Sequence, residues 1–338
     1  MATFAATENE PVGKRFVWVV PGWVLTQMLD QPPERKKRVV ELLKRGQLDL
    51  LANPFSTDTE GLDLETFVRG LGFSSRIARA NGLPLPIAAN MTDVPEHTFA
   101  MSTILHHAGI TFFRTGCNPC STSPNLPSLF WWEGPDGVRT LSMYSPRRYG
   151  TDMRTPKDWP CKTWLWLFMR GDNTGSQSAA EFRNIMAQAA KARPNASIQT
   201  GRIEDFARAI LAENPKLPVV KQDVTDTWIH GIMAMPRETG IARTVRPRIG
   251  ALEALDTLLG QWHLEQCTAT RIVADAYEKS LLFGEHTWGS WLGDGRGSWK
   301  YGAAFEKAWN DGFYREAEAT YQEHGDYIRA AIVPGRLL

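Results

Sequence analysis

"PIAANMTDVPEHTFAMSTILHHAGITFFRTG", residues 86–116, decides the fold. Its first part, "PIAANM", is a short apolar run that reads as a buried strand. "TFAMSTILHHAG" has the apolar spacing of a helix, and "ITFFRTG" reads as a second strand. Strand, helix and strand in that order make a βαβ unit, so the two strands are expected to be parallel. Asp93, Pro95 and His97 stand where the first strand hands over to the helix. Thr92 or Asp93 can close a turn there, and Thr98 can cap the helix. Asp93 also falls at the C-terminal end of a parallel strand, where α/β barrels keep their chemistry.

The same alternation extends in both directions. Upstream, "RFVWVV" (15–20) reads as a strand, and two helices follow, the second opened by proline and closed by Gly46. "QLDLLA" is strand-like, and the helix after it ends at Gly82. Downstream, "LFWWEGPDGVRTLSMY" reads as a β-hairpin turning at residues 135–137. "WLWLFM" (164–169), "ASIQTG" (196–201) and "LPVVKQDV" are further strands, with helices between them. Beyond residue 235 strand signals fade and long helical patterns take over. The expected class is α/β: an incomplete or distorted (β/α)7-type barrel with mostly parallel strands, then a C-terminal α-helical bundle segment. The boundaries are a flexible N-terminus (1–14), a catalytic domain (15–235) and a helical domain (236–338).

Composition narrows the partners. The formal net charge of +1 gives no electrostatic case for nucleic acid or an anionic membrane. No apolar run reaches the length of a membrane span, and the N-terminus lacks a signal-peptide pattern, so the cytoplasm is the default. Cys117 and Cys120 form a CxxC with no further Cys or His at zinc-site spacing, so they read as loop or buried thiols. The 13 tryptophans suit a large core and also suit stacking on sugars.

Polar residues gather at the ends of the expected strands: Asp58, Glu60 and Asp63, then Asp93, Asp172, and finally Asp223, Asp226 and His230. The helical part adds Glu285 and His286. Carboxylates beside Trp228 and Trp288 suit glycoside hydrolysis, and His with Asp suits a metal.

In this order and spacing the motifs resemble the catalytic barrel of glycoside hydrolase family 38, the α-mannosidases, over residues 15–291, and within it a divergent branch. "NMTDVPEHT" is similar to the family's nucleophile loop, "FMRGDNTGSQSAAE" to its acid/base loop, "DTWIHG" to its His-Arg-Gly segment and "LLFGEHTWG" to its metal-histidine loop. The resemblance implies a retaining, zinc-assisted glycosidase acting on an α-linked sugar. Asp93 would be nucleophile and metal ligand, Asp172 acid/base, and His286 a second metal ligand. Asp58, Glu60, Asp226, Trp228, His230 and Trp288 would face the carbohydrate substrate.

The chain departs from the family pattern at both ends. It has no His-x-Asp strand end before His97, and that element supplies two of the family's four zinc ligands. His97 or His230 would have to substitute. The family's C-terminal β-domains are also missing from this sequence. A barrel lacking its first strand leaves open edges, which implies self-association into a homo-oligomer. Two alternatives follow: an inactive carbohydrate-binding homologue on the same scaffold, and a metal-independent sugar lyase or isomerase.

Overall fold

The computed structural model describes residues 1–94, 97–119, 122–171, 174–224, 234–264, 270–288 and 302–331. The chain divides into two compact units, residues 1–56 with 71–227, and residues 57–70 with 228–338. The second unit therefore takes in residues 57–70, besides the C-terminal part that the sequence set off at residue 235.

The first unit carries, in chain order, helix α1 (Ala2–Thr7), strand β1 (Trp18–Val20), α2 (Gly22–Leu29), α3 (Pro33–Lys44), β2 (Leu48–Leu50) and the end of α4 (Leu64–Ala80). There follow β3 (Ala88–Asp93), α5 (Ala100–His107), β4 (Phe112–Cys117), β5 (Leu129–Glu133), β6 (Arg139–Ser145), α6 (Ala179–Ala192), α7 (Ile203–Glu213) and β7 (Val219–Val220). β1 and β2 form a parallel pair, and the other strands form one sheet in the order β3-β4-β6-β5-β7. Every pairing is parallel except the β5–β6 hairpin.

A side chain joins the two ladders. The Ala52 N–H donates to the Ala88 carbonyl at 2.9 Å. Next to it, Asn53 accepts from the Asn90 N–H through Oδ1 and donates to the Asn90 carbonyl through Nδ2, both at 2.9 Å. The Asn53 amide thus takes the place of a peptide group, and the strands run in series as β1-β2-β3-β4-β6-β5-β7. This is the mostly parallel, incomplete (β/α)7-type arrangement expected from the sequence. Among the described residues no ladder closes β7 onto β1.

One face of this series is covered by a helix. Ile203, Phe206, Ala207 and Ile210 of α7 follow the i, i+3, i+4, i+7 rule and pack on Leu51, Ala88, Phe112, Leu129 and Leu141. The rings of Phe112 and Phe206 meet edge-on at 5.6 Å. A closed barrel fills that face with side chains of its own strands; here α7 fills it. On the opposite face Phe113 and Trp132 stack at 5.8 Å, and Ser102 of α5 donates to the Trp132 carbonyl at 2.5 Å. α2 and α3 bury Leu25, Val39 and Leu42 with Val20 and Leu48.

Three expectations need correction. Residues 1–14 are not a bare tail: α1 puts Phe4 into the core against Phe16 and Phe182. "WLWLFM" is not a strand; Thr151 meets it through bonds to the carbonyls of Leu165 and Leu167 and to the Leu167 N–H, and Trp164 Nε1 donates to the Asp152 carbonyl. "ASIQTG" is not a strand either. Its Thr200 N–H donates to the Gly13 carbonyl at 2.8 Å, and no ladder follows.

The second unit holds residues 57–70, α8 (Pro236–Gln261), α9 (Thr270–Leu282), α10 (Ala303–Asn310) and α11 (Arg315–Ala330). Ala242, Val245 and Ile249 of α8 pack with Val273, Ala276 and Tyr277 of α9 and Ile328 of α11. This is the helical segment that the sequence pattern implied. Among the described residues no helix is long and apolar enough to cross a membrane.

Candidate functional site

In the first unit a polar cluster collects at the C-terminal ends of β3, β4 and β6. Asp93 is the last residue of β3, half-buried, with φ +84°. A left-handed backbone is uncommon for a residue other than glycine, and aspartate is among the side chains that tolerate it. It ends the in–out alternation of the strand, so the direction of Asp93 is set by its partners. The Asn118 Nδ2 donates to Asp93 Oδ1 at 2.7 Å and to the Tyr149 hydroxyl at 2.8 Å. The Asn118 N–H donates to the Asp93 carbonyl at 2.9 Å, which fixes the two loops together. Thr92, just before, takes its backbone partner from the Ser56 hydroxyl at 2.9 Å.

Arg114 holds this cluster from below. It sits on β4 in register with Asn90, fully buried, and donates to Asn90 Oδ1 at 3.1 Å, to the Tyr149 carbonyl and to the Gly150 carbonyl at 2.7 Å. Burial pulls its pKa down to about 9, so it still carries its proton at neutral pH. Gly116 makes the approach possible: a Cβ there would meet the Arg148 carbonyl oxygen and lie 2.7 Å from that of Tyr149. Gly116→Ala should therefore cost about 2 kcal/mol in a denaturant melt, because backbone has to move. An unchanged midpoint would show that the 148–150 loop is not packed there.

In the second unit residues 57–58 meet the "GEHTWG" segment. Thr57 pairs with Glu285 in an antiparallel bridge, and the buried Asp58 donates its N–H to the Gly284 carbonyl at 3.2 Å. Glu285 is the hub. Its carboxylate lies 2.6 Å from His286 Nδ1 and accepts from the Thr287 N–H at 2.8 Å. Burial pushes Glu285 up, but His286 and the Thr287 N–H outweigh it, and the group stays below the usual carboxylate range. Trp288 belongs to the helical core: its ring packs on Phe283 at 4.9 Å and His324 at 5.3 Å, and its Nε1 donates to the Glu285 carbonyl. The Trp288 ring is 5% exposed in this packing. Glu60 is exposed at the rim of a small cavity with Asp63.

Asp172, Asp226, Trp228 and His230 lie outside the described residues. His97 is packed edge-on against Phe113 at 5.2 Å and bridged through its backbone to Val224, and burial lowers its pKa to about 3. It is a core histidine. Asp93 belongs to the first unit and His286 to the second. A catalytic zinc needs three protein donors and an open position. Among the described residues no group of three or more His, Cys, Asp or Glu side chains is placed to hold a metal ion. His286 Nδ1 is already turned to Glu285. The described donors do not fit a zinc centre, and no step below passes through one.

No protein-family model matches the chain, and no curated protein matches it. Solved structures do. A protein in glycosyl hydrolase family 38 from Enterococcus faecalis superposes with TM-score 0.58 at 14% identity, over 95% of this chain and 36% of that one. An alpha-mannosidase from Enterococcus faecalis V583 gives TM-score 0.60 at 13% identity, over 98% of this chain and 38% of that one. The chain spans well under half the length of these structures. Its fold is similar to that of these two structures.

Proposed function

We propose that the chain is a retaining glycoside hydrolase of the α-mannosidase type, acting on an α-linked sugar with Asp93 as nucleophile. The observation that carries this reading is Asp93 itself: a carboxylate at a strand's C-terminal end, on a left-handed backbone, oriented by Asn118. Strained backbone of this kind costs about 1–3 kcal/mol and persists where the surroundings impose it, which is common at reacting groups. The Asn118 amide fixes one carboxylate oxygen and so the plane in which the group approaches substrate. Arg114 sets the Tyr149 carbonyl and, through that loop, the hydroxyl that Asn118 also meets.

In the two-step scheme Asp93 attacks the anomeric carbon while a second carboxyl, assigned to Asp172 by the sequence resemblance, protonates the departing oxygen. A glycosyl ester forms and the aglycone leaves. Asp172 then takes a proton from water, whose oxygen attacks the anomeric carbon, and the Asp93 carboxylate is released. An activated 5-fluoro α-glycosyl fluoride forms such an ester quickly and loses it slowly. Incubation followed by peptide mass analysis should place one glycosyl group per chain on Asp93. Label on another carboxylate would overturn the assignment, and binding without any adduct would favour the sugar-binding alternative.

A further inference from the structure

Residues 60–63 and helix α8 line a half-open cavity of about 200 Å³ in the second unit. Its lining includes Glu60, Asp63, Thr239, Arg243, Arg246 and Pro247. That is smaller than a pocket for a drug-sized molecule and suits a single ring. Arg246 is 5% exposed. Its Nε donates to the Ser280 hydroxyl at 3.0 Å and its Nη1 to the Gly61 carbonyl at 2.5 Å, but its buried Nη2 has no acceptor. A guanidinium left this way has two donors unsatisfied in a place where a missing bond is expensive. The group remains protonated at neutral pH, since burial lowers its pKa only to about 10.

The charges around the cavity are segregated by element. Arg243 and Arg246 come from α8, and Glu60 and Asp63 come from the loop. Asp63 Oδ1 also accepts the Thr66 N–H at 3.0 Å, capping the start of α4. A bare anion would gain from the arginines and be repelled by the carboxylates. A neutral sugar would donate hydroxyls to the carboxylates and offer the arginines only hydroxyl oxygens, which accept more weakly than a carboxylate does. A ligand with an oxyanion at one end and hydroxyls at the other meets both sets. We infer that this cavity binds a monosaccharide-sized sugar acid, with its carboxylate held by the guanidinium groups of Arg246 and Arg243 and its hydroxyls donating to Glu60 and Asp63.

The inference does not rest on Asp93 or its partners, and Glu60 is the one residue it shares with the set that the family resemblance turns towards a carbohydrate. Calorimetric titration of the full chain with D-glucuronate tests it, with D-glucose and acetate as controls that each carry half of the chemistry. Glucuronate should bind at least tenfold more tightly than either. Arg243→Gln, at an exposed position that should not disturb folding, should weaken glucuronate about tenfold and leave the thermal midpoint within a degree or two. Asp93→Asn should leave glucuronate binding unchanged. Absence of glucuronate binding, equal affinity for glucose or acetate, or an Arg243→Gln variant that binds as well as the parent would each overturn the assignment.

Discussion

Asp93→Asn is expected to lower kcat for an aryl α-mannoside by about 10⁴–10⁶-fold, the range lost when a covalent nucleophile is removed. The fold should survive, because asparagine accepts a left-handed backbone as readily as aspartate does. Its Oδ1 can keep the bond from Asn118 Nδ2. Substrate affinity should therefore change little, and the loss should fall on kcat. The φ of +84° offers a sharper experiment. Glycine fits that conformation without strain, so Asp93→Gly should fold and leave a gap where the carboxylate stood. Azide entering that gap should restore turnover and give a β-configured glycosyl azide. An α-configured product, or activity that survives in either variant, would remove Asp93 from the nucleophile role.

The second large effect concerns stability. Asp49 on β2 is fully buried, and burial raises its pKa from 3.8 to about 7, with Glu204 adding to the rise and the Ile203 N–H opposing it. His97 is shifted the other way, from 6.5 to about 3. With Asp49 raised in the folded state, its contribution is fully present below about pH 4 and is lost as pH climbs through 7. With His97 lowered, its contribution is present above 6.5 and is lost as pH falls towards 3. Between about pH 4 and 6.5 the two slopes oppose each other and nearly cancel.

Asp49→Asn keeps an acceptor for the Ile203 N–H and removes the buried charge. It should stabilise the protein by about 2–4 kcal/mol at pH 8, on the scale of 1.36 kcal/mol per pKa unit. It should also uncover the His97 slope, so that Tm rises more steeply from pH 4 to 6.5 in the variant than in the parent. Parallel Tm profiles for the two proteins would show that Asp49 does not titrate across this range.

Much of the scaffold is legible in local pattern. The β3–α5–β4 unit, the hairpin at Gly137 and the long helices of the second unit stand where periodicity and turn residues put them. The two misread strands fail for one reason. "WLWLFM" and "ASIQTG" have strand-like composition, but a strand also needs a neighbouring strand to pair with, and these segments meet loop residues such as Thr151, Asp152, Gly13 and Lys14. The amphipathic pattern of α7 says that one face is buried, not that the buried face covers a sheet. At the site, Asp93 could be read because its position ends a strand. Asn118 and Tyr149 could not, since each comes from a different element and gains meaning only where the elements meet. Arg114 did leave a signal: it is the lone charge in a strand that is buried throughout, and such a residue is either paired or engaged in holding something.

The Asn53 amide that bridges to Asn90 also bears on chemical ageing. Asparagine loses its amide when the next residue's backbone nitrogen closes a five-membered imide ring on it. Hydrolysis then leaves an acid. An acid at this position would set oxygen against the carbonyl of Asn90 and loosen the seam. The following residue is Pro54, whose nitrogen has no hydrogen to give up. The residue order that lets a side chain stand in for a peptide group thus also shields that side chain from the reaction that would spoil it.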